Sequence, residues 1–401
     1  MQFIKDAYEM TMANEVSQNK LGIVFKISER CNLKCSYCYY FFSGDETWKD
    51  RAPIVSDSVI GALGMFSRSA AEKYGISKIP ISFHGGEPLL MKKSKFDQMC
   101  TTLREHESNF QFEFAVQTNG ALIDEEWIEI LQRHDVGVGV SLDGPKQIND
   151  LHRLDKRGRS SYEKTVRGLR LLQKSAKAHG GRIPGALCVI NPEADGAATL
   201  RHFVEDLEVT HLNFLLPDAS HENPLSMVDR GRITDFLRAV IREWARLRRK
   251  DVSIRFLSEL ITLFAGDEQL NTSYNTSDYR HLIVVSSDGK IGPEDTLHGL
   301  AERFRETPYS VFTTAPEELF SSPVWDELGD AARGPDACQS CEWFRVCRGG
   351  RLANRFSESG SFNNPSIYCD GLKQVYADVM RLLVANHVDE RRISANLRVA
   401  L

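Results

Sequence analysis

The sequence predicts an α/β protein, a partial (β/α)6 barrel followed by a smaller cysteine-rich region. Three observations carry this. Between residues 21 and 215, β-branched apolar runs alternate with amphipathic stretches six times. Beyond residue 280 the alternation stops and a hairpin signal follows. Seven of the nine cysteines fall in two tight groups, one just after the first apolar run and one after the hairpin.

The strand candidates are Gly22–Ser28, Ile79–Phe83, Phe112–Gln117, Gly137–Leu142, Gly185–Ile190 and His211–Leu216. Helix-like stretches lie between them at Ser56–Tyr74, Ser94–His106, Asp124–His134, Tyr162–Ala178 and Ala197–Leu207. Such units imply a parallel sheet with right-handed crossovers. Six strands fall short of the eight that close a TIM barrel, so a partial barrel or an open doubly wound sheet is expected. Arg230–Arg249 and Ser258–Ala265 read as further helices. His281–Ser287, the turn Ser287-Asp288-Gly289-Lys290 and a return strand from Ile291 read as a hairpin. A helix is expected from about Leu372 to Val388.

Composition narrows the class. The 401 residues are 42% hydrophobic and 26% charged, with a formal net charge of −5. That length asks for two domains, or one large α/β body with an appendage. The mild acidity lacks the basic excess of a general nucleic-acid binder. No apolar run approaches the roughly 18 residues of a membrane span. The first 20 residues lack the layout of a signal peptide, so a cytoplasmic location is expected. In that compartment clustered cysteines argue for metal or redox chemistry rather than disulfides. Cys100 and Cys188 sit in apolar settings and read as buried small hydrophobes.

The first group is Cys31-x3-Cys35-x2-Cys38, in the loop leaving the first strand. Barrel enzymes place their chemistry at that face. Three thiolates can hold three irons of a cubane and leave the fourth open to an amine and a carboxylate. A structural zinc site would want a fourth protein ligand, and the nearest downstream histidine, His84, lies on another strand. Later strand ends carry further signals. His84-Gly85-Gly86-Glu87-Pro88 ends the second strand, Gln117-Thr118-Asn119-Gly120 the third and Ser141-Leu142-Asp143-Gly144-Pro145 the fourth. Two glycines let a ligand approach the main chain, and Glu87 supplies a counter-charge. Taken alone, Gly-Gly-Glu-Pro is also an ordinary turn.

With Tyr37 ahead of the last cysteine, the arrangement over residues 21 to about 217 resembles the radical S-adenosylmethionine (SAM) superfamily. The resemblance implies a [4Fe–4S] cluster on Cys31, Cys35 and Cys38 whose open iron chelates SAM, and reductive cleavage to a 5′-deoxyadenosyl radical. It also implies that Gly85, Gly86 and Glu87 receive the SAM ammonium. Asn119 lies in a similar "TNG" segment, and Ser141 and Asp143 could reach the ribose or the SAM carboxylate. Arg153 could pair with that carboxylate, or could be a solvated surface charge. Asn191, at the end of the fifth strand, could line the adenine site.

The second group, Cys338-x2-Cys341-x5-Cys347 with Cys369, resembles the C-terminal SPASM or twitch domains of radical SAM peptide maturases. The resemblance implies one auxiliary [4Fe–4S] cluster with all four sites filled. Two departures argue against another. A full SPASM domain has a cysteine where Arg351 stands and a hairpin cysteine where Glu294 stands. Two clusters in all are therefore expected. Asp295, beside the missing cysteine, is a candidate general base, or else a turn-capping aspartate.

The implied division is an N-terminal extension (1–20), the radical SAM barrel (21–225), a helical bridge (226–280), the SPASM/twitch-like iron–sulfur domain (281–375) and a C-terminal helix and tail (376–401). With an extension this short, no separate peptide-recognition domain is expected ahead of the barrel. Gly292-Pro-Glu-Asp-Thr-Leu-His298, Asn364-Pro-Ser-Ile-Tyr-Cys369 and Leu216-Pro-Asp-Ala-Ser220 are similar to the Xye/Grr/Fxs group of maturases. That similarity implies a precursor peptide crosslinked between an aromatic ring and the β-carbon of a nearby residue, and an electron donor such as flavodoxin or ferredoxin. Formylglycine formation of the sulfatase-maturase kind and thioether formation stay open, as does a cluster-bearing scaffold without activity.

Overall fold

The computed structural model describes residues 21–222, 229–266 and 279–397. The expected N-terminal extension, the last three residues of the expected barrel (223–225), parts of the expected bridge (226–228 and 267–278) and the last four residues of the tail lie outside the described residues.

The chain opens with β1 (Gly22–Ser28), then α1 (Asp57–Tyr74), β2 (Lys78–Gly85), α2 (Lys93–Glu105), β3 (Gln111–Thr118), α3 (Glu125–Arg133), β4 (Gly137–Ser141), α4 (Tyr162–His179), β5 (Gly185–Val189), α5 (Gly196–Arg201) and β6 (His211–Leu215). These are the expected six units, with ends shifted by one or two residues. Local chemistry sets many boundaries. Ser56, Asp124 and Asp195 each accept a hydrogen bond from a first-turn amide of α1, α3 and α5. Gly75 and Gly180 end α1 and α4 in the left-handed conformation. The helix expected over Ala197–Leu207 is two pieces, because after Arg201 the chain widens into a π-helical turn, His202–Asp206.

β1 to β6 pair in parallel and in sequence order. The sheet continues at both ends. Beyond β6 come α6 (Arg230–Leu247) and a two-residue β7 (Ser253–Ile254), too short to leave a sequence pattern, and then α7 (Arg255–Ala265). β8 (Leu282–Val285) pairs in parallel with β1, and β9 (Ile291–Gly292) returns antiparallel to β8. The hairpin expected to open a second domain is thus hydrogen-bonded into the barrel's sheet beside the cysteine-bearing strand. The nine strands run β7-β6-β5-β4-β3-β2-β1-β8-β9, an open order that confirms the partial barrel.

The core between sheet and helices is aromatic. Phe83, Phe96, Phe114 and Trp127 form a chain of rings with centroids 5.2–5.3 Å apart. Cys100 and Cys188 are buried in this layer, as expected. The chain ends in α8 (Cys369–Ala385), which packs on α6 and is tied to it by Arg238–Asp378 at 2.7 Å, and α9 (Glu390–Leu397), which packs on α7. Among the described residues no helix is long and apolar enough to cross a membrane.

Candidate active site

Cys31, Cys35 and Cys38 occupy the loop between β1 and a short helical turn, Tyr39–Phe42. The loop is held from several sides. Lys34 and Ser36 amides donate to the Leu154 and His152 carbonyls at 2.8 and 3.3 Å, and the Leu33 amide donates to the Cys31 sulfur at 3.3 Å. The thiols sense one another. Burial and then the charges of Glu87, Cys35 and Cys38 push the Cys31 thiol up to about 12. Burial pushes Cys38 up to about 11. Three confined thiols that resist ionisation alone are a donor set that gains from a strongly cationic iron partner, so the residues fit a cluster.

The second loop approaches this one so closely that only glycine fits. A Cβ on Gly85 would stand 2.1 Å from the Ser28 carbonyl oxygen, and Gly85 has φ +130°. One on Gly86 would stand 2.4 Å from the Arg30 carbonyl oxygen. Glu87 is buried and ties three loops together. Its carboxylate accepts from Thr118 Oγ1 at 2.7 Å, the Asn119 amide at 2.8 Å and the Leu89 amide at 3.0 Å. Its lone pairs therefore first organise the third strand end, a task the sequence did not reveal. Asn119 in turn donates to Asn32 Oδ1 at 2.7 Å, inside the cysteine loop.

Tyr37, Asp143 and Arg153 form one buried network. The Tyr37 hydroxyl donates to Asp143 Oδ2 at 2.5 Å and accepts from Arg153 Nη1 at 2.8 Å. Asp143 Oδ1 accepts from the Val189 amide at 3.2 Å, which couples β4 to β5. Arg153 is 7% exposed, so it is not a surface charge. Burial alone would lower its guanidinium, but Tyr37, Cys35 and Asp143 outweigh burial and raise it. Ser141 accepts from Gln117 Nε2 at 2.7 Å. Asn191 spends Oδ1 on the Glu193 amide, and its buried Nδ2 has no partner among the described residues. A buried, unused amide donor at a strand end suits a base acceptor, as the expected adenine site requires.

Asp295 lies at the end of the docked hairpin, against the mouth of β1 and β2. Oδ2 contacts the Lys26 ammonium and accepts from the Tyr39 hydroxyl at 2.5 Å. Burial would raise its pKa, but Lys26 and His84 outweigh burial and hold the carboxyl well below its usual range. Its neighbour Glu294 goes the opposite way, pushed up to about 7 by burial and by Asp295. Glu294 faces Arg351 at 3.9 Å, and Arg351 also reaches Asp218 at 3.4 Å. The two positions where the expected cysteine pattern fails are therefore neighbours in space and form a charge pair. Lys26, Tyr39, His84 and Asp218 were missed as site residues. Lys26 had a signal, as the one charge in the apolar run Gly-Ile-Val-Phe-Lys-Ile-Ser.

The second cysteine group also converges. Cys338 ends a 3-10 turn, Cys347 ends a short helix and Cys369 begins α8. Ser366 donates from its amide to the Gly349 carbonyl at 2.9 Å, closing the Cys347 loop onto the Cys369 segment. After burial, the Cys338 thiol is raised by Cys369 and Cys341, and Cys369 is raised by Asp370 and Cys341 against the opposing effect of Lys373. Burial pushes Cys347 up to about 11 despite a hydrogen bond to Tyr376. Four thiols within electrostatic reach, one at a helix N-terminus, are a donor set that fits a fully ligated cluster. Among the described residues no three His, Cys, Asp or Glu are gathered as the shell of a single metal ion.

An open parallel barrel with three cysteines at the mouth of its first strand and glycine, carboxylate and arginine groups at the next strand ends defines the radical SAM class. The Radical SAM superfamily model matches residues 25–186, and this part of the chain is a radical SAM domain. It is 28% identical to a cysteine-type anaerobic sulfatase-maturating enzyme of Clostridium perfringens (strain 13 / Type A) over 90% of this chain and 97% of that protein. It is 24% identical to a serine-type anaerobic sulfatase-maturating enzyme of Bacteroides thetaiotaomicron over 87% of this chain and 86% of that protein. Native anSMEcpe with bound AdoMet and Kp18Cys peptide superposes with TM-score 0.76 at 25% identity, covering 91% of this chain and 98% of that one. Streptococcus suis SuiB bound to precursor peptide SuiA shares the fold, with TM-score 0.59 at 16% identity over 91% and 79% of the two chains.

Proposed function

We propose that this enzyme matures a ribosomally made precursor peptide by joining an aromatic ring carbon to the β-carbon of a residue nearby. One observation carries the reading: the Asp295 carboxylate is held at the barrel mouth, within one hydrogen-bonded group that reaches the turn after Cys38. The cluster on Cys31, Cys35 and Cys38 with SAM would supply a 5′-deoxyadenosyl radical, and the cluster on Cys338, Cys341, Cys347 and Cys369 an electron acceptor. The peptide loses two hydrogens overall. One leaves the β-carbon as an atom; the other leaves the ring carbon as a proton, with one electron. Asp295, already ionised, takes the proton. Gly85 and Gly86 would admit the cofactor to the main chain, Arg153, held in place by the Tyr37 hydroxyl, would pair with its carboxylate, and Asn191 would meet its base. The domain limits expected from the sequence, a flavodoxin- or ferredoxin-type electron donor and a cytoplasmic site of action belong to the same reading.

A second reading is formylglycine formation on a cysteine or serine of a sulfatase peptide. It is favoured by the sulfatase-maturating relatives, which match along 90% of this chain. The Glu294–Arg351 pair supports the first reading, because it stands where a second auxiliary cluster would need cysteines.

The test is anaerobic turnover with SAM and dithionite, offering the Kp18Cys peptide and candidate precursor peptides with repeated aromatic-x-x motifs encoded beside this chain's gene. A product lacking two hydrogens, with sulfur retained and a three-residue segment resistant to fragmentation, is expected from a precursor. An aldehyde in the Kp18Cys product would establish the second reading instead. Absence of 5′-deoxyadenosine would remove both.

A further inference from the structure

Lys26 is 1% exposed, on a strand otherwise built for an apolar sheet. Its ammonium touches Asp295 Oδ2, lies 3.0 Å from the Tyr39 hydroxyl and 3.4 Å from His84 Nδ1, and sits 4.6 Å from the centre of the Tyr40 ring. Four elements meet there: β1, β2, the turn after Cys38 and the docked hairpin. Burying an ammonium is costly unless a counter-charge and hydrogen bonds accompany it, and all are present here. Among the described residues both side-chain hydrogen bonds to the Asp295 carboxylate fall on Oδ2. Its side chain is 11% exposed, and Oδ1 is the oxygen on which neither of these bonds falls.

We infer that Lys26 is the positioning residue of this site, fixing Oδ2 of Asp295 so that Oδ1 faces the substrate. The inference rests on the reading of Asp295 as the base. His84 Nδ1, 3.4 Å from the ammonium, orients it from the β2 side. The other titratable or charged groups facing Asp295 are Tyr39, Glu294, His298 and Asp218. Two of these are carboxyls. Without Lys26, Asp295 would be a buried anion beside like charges, and its proton affinity would rise.

Melting of the anaerobic holoenzyme across pH decides the pairing. Lys26→Met is expected to melt below the Lys26→Met/Asp295→Asn double variant at neutral pH. That gap should close on acidification, as the orphaned carboxyl takes a proton. A Lys26→Met protein that melts like the wild type at every pH would overturn the inference. Turnover of the accepted peptide adds a functional readout. Product formed per 5′-deoxyadenosine should fall about 100-fold or more in Lys26→Met, the scale of a general base. The acid limb of its pH profile should move to higher pH, and Lys26→Arg should restore part of the product. An unmoved acid limb in Lys26→Met, with product lost in Asp295→Asn, also overturns the positioning role. Full product from Asp295→Asn removes the base reading and leaves the melting result standing.

Discussion

Arg351 Nη2 lies 3.9 Å from Glu294 Oε1, joining the segment after the third cysteine of the second group to the end of the docked hairpin. Arg351 also reaches Asp218 in the loop after β6, so one guanidinium links three parts of the chain. Replacing Arg351 by Met leaves two carboxyls facing each other with no cation. The expected loss is about 1–3 kcal/mol in chemical denaturation, below that of a fully buried pair because Arg351 is one-third exposed. The sign with pH follows from Glu294, whose folded pKa of about 7 stands above its ordinary 4.5. Its protonated form favours the fold, and that contribution is lost as pH rises through about 7. The variant's deficit should therefore widen above neutrality and shrink below it.

Gly85→Ala is expected to cost about 2–6 kcal/mol, from a left-handed backbone strain and an overpacking contribution of about 1–3 each. The Cβ would strike the Ser28 carbonyl at 2.1 Å and push the cysteine loop away from β2. SAM affinity, measured by equilibrium dialysis, should fall together with melting temperature. Gly44→Ala is the control. Its φ is +92° but nothing lies within 4 Å of the new Cβ, so only the backbone cost of about 1 kcal/mol should appear.

Tyr37→Phe removes the hydroxyl that bridges Asp143 and Arg153. A buried carboxylate and a buried guanidinium each lose one partner. SAM affinity should weaken about tenfold, equivalent to roughly 1.4 kcal/mol. Arg153→Lys should weaken it more, since an ammonium cannot donate in the planar fork. A Tyr37→Phe protein with wild-type SAM affinity would detach this network from cofactor binding.

Cys341→Ala should halve iron and acid-labile sulfide, leaving the material of one cluster. Cys31→Ala should remove the other half. The two losses should differ in stability. Residues 336 to 369 contain only short helices, so their cluster acts as a clip and its loss should lower the melting temperature. The first group sits at the end of a strand in a nine-stranded sheet, so its loss should lower the melting temperature less. Wild-type iron equal to three clusters would contradict the Glu294–Arg351 pair as the end of that pattern.

Much of the fold was legible because it is local. Six apolar runs set six strands within two residues, and the helix starts expected at Ser56 and Asp124 lie one residue from the observed ones. β7 was not legible, since two residues carry no period. Nor was the π-helical turn after Arg201, which widens a helix without changing its apolar spacing. Arg153 was ambiguous in sequence because a charge is neither buried nor exposed until its partners are known. Tyr37 and Asp143 settle it.

The sequence by itself determined the two cysteine groupings and the glycine pair, because such spacings act through bonds and short loops. It also determined the class of chemistry. Only the tertiary structure decided what Asp295, Glu294 and Arg351 are. Asp295 is ionised because β8 docks on β1 and brings it to Lys26. Glu294 is drawn toward neutrality by burial and by the charge of that same aspartate. Those are through-space effects between residues far apart in the chain, and no spacing encodes them.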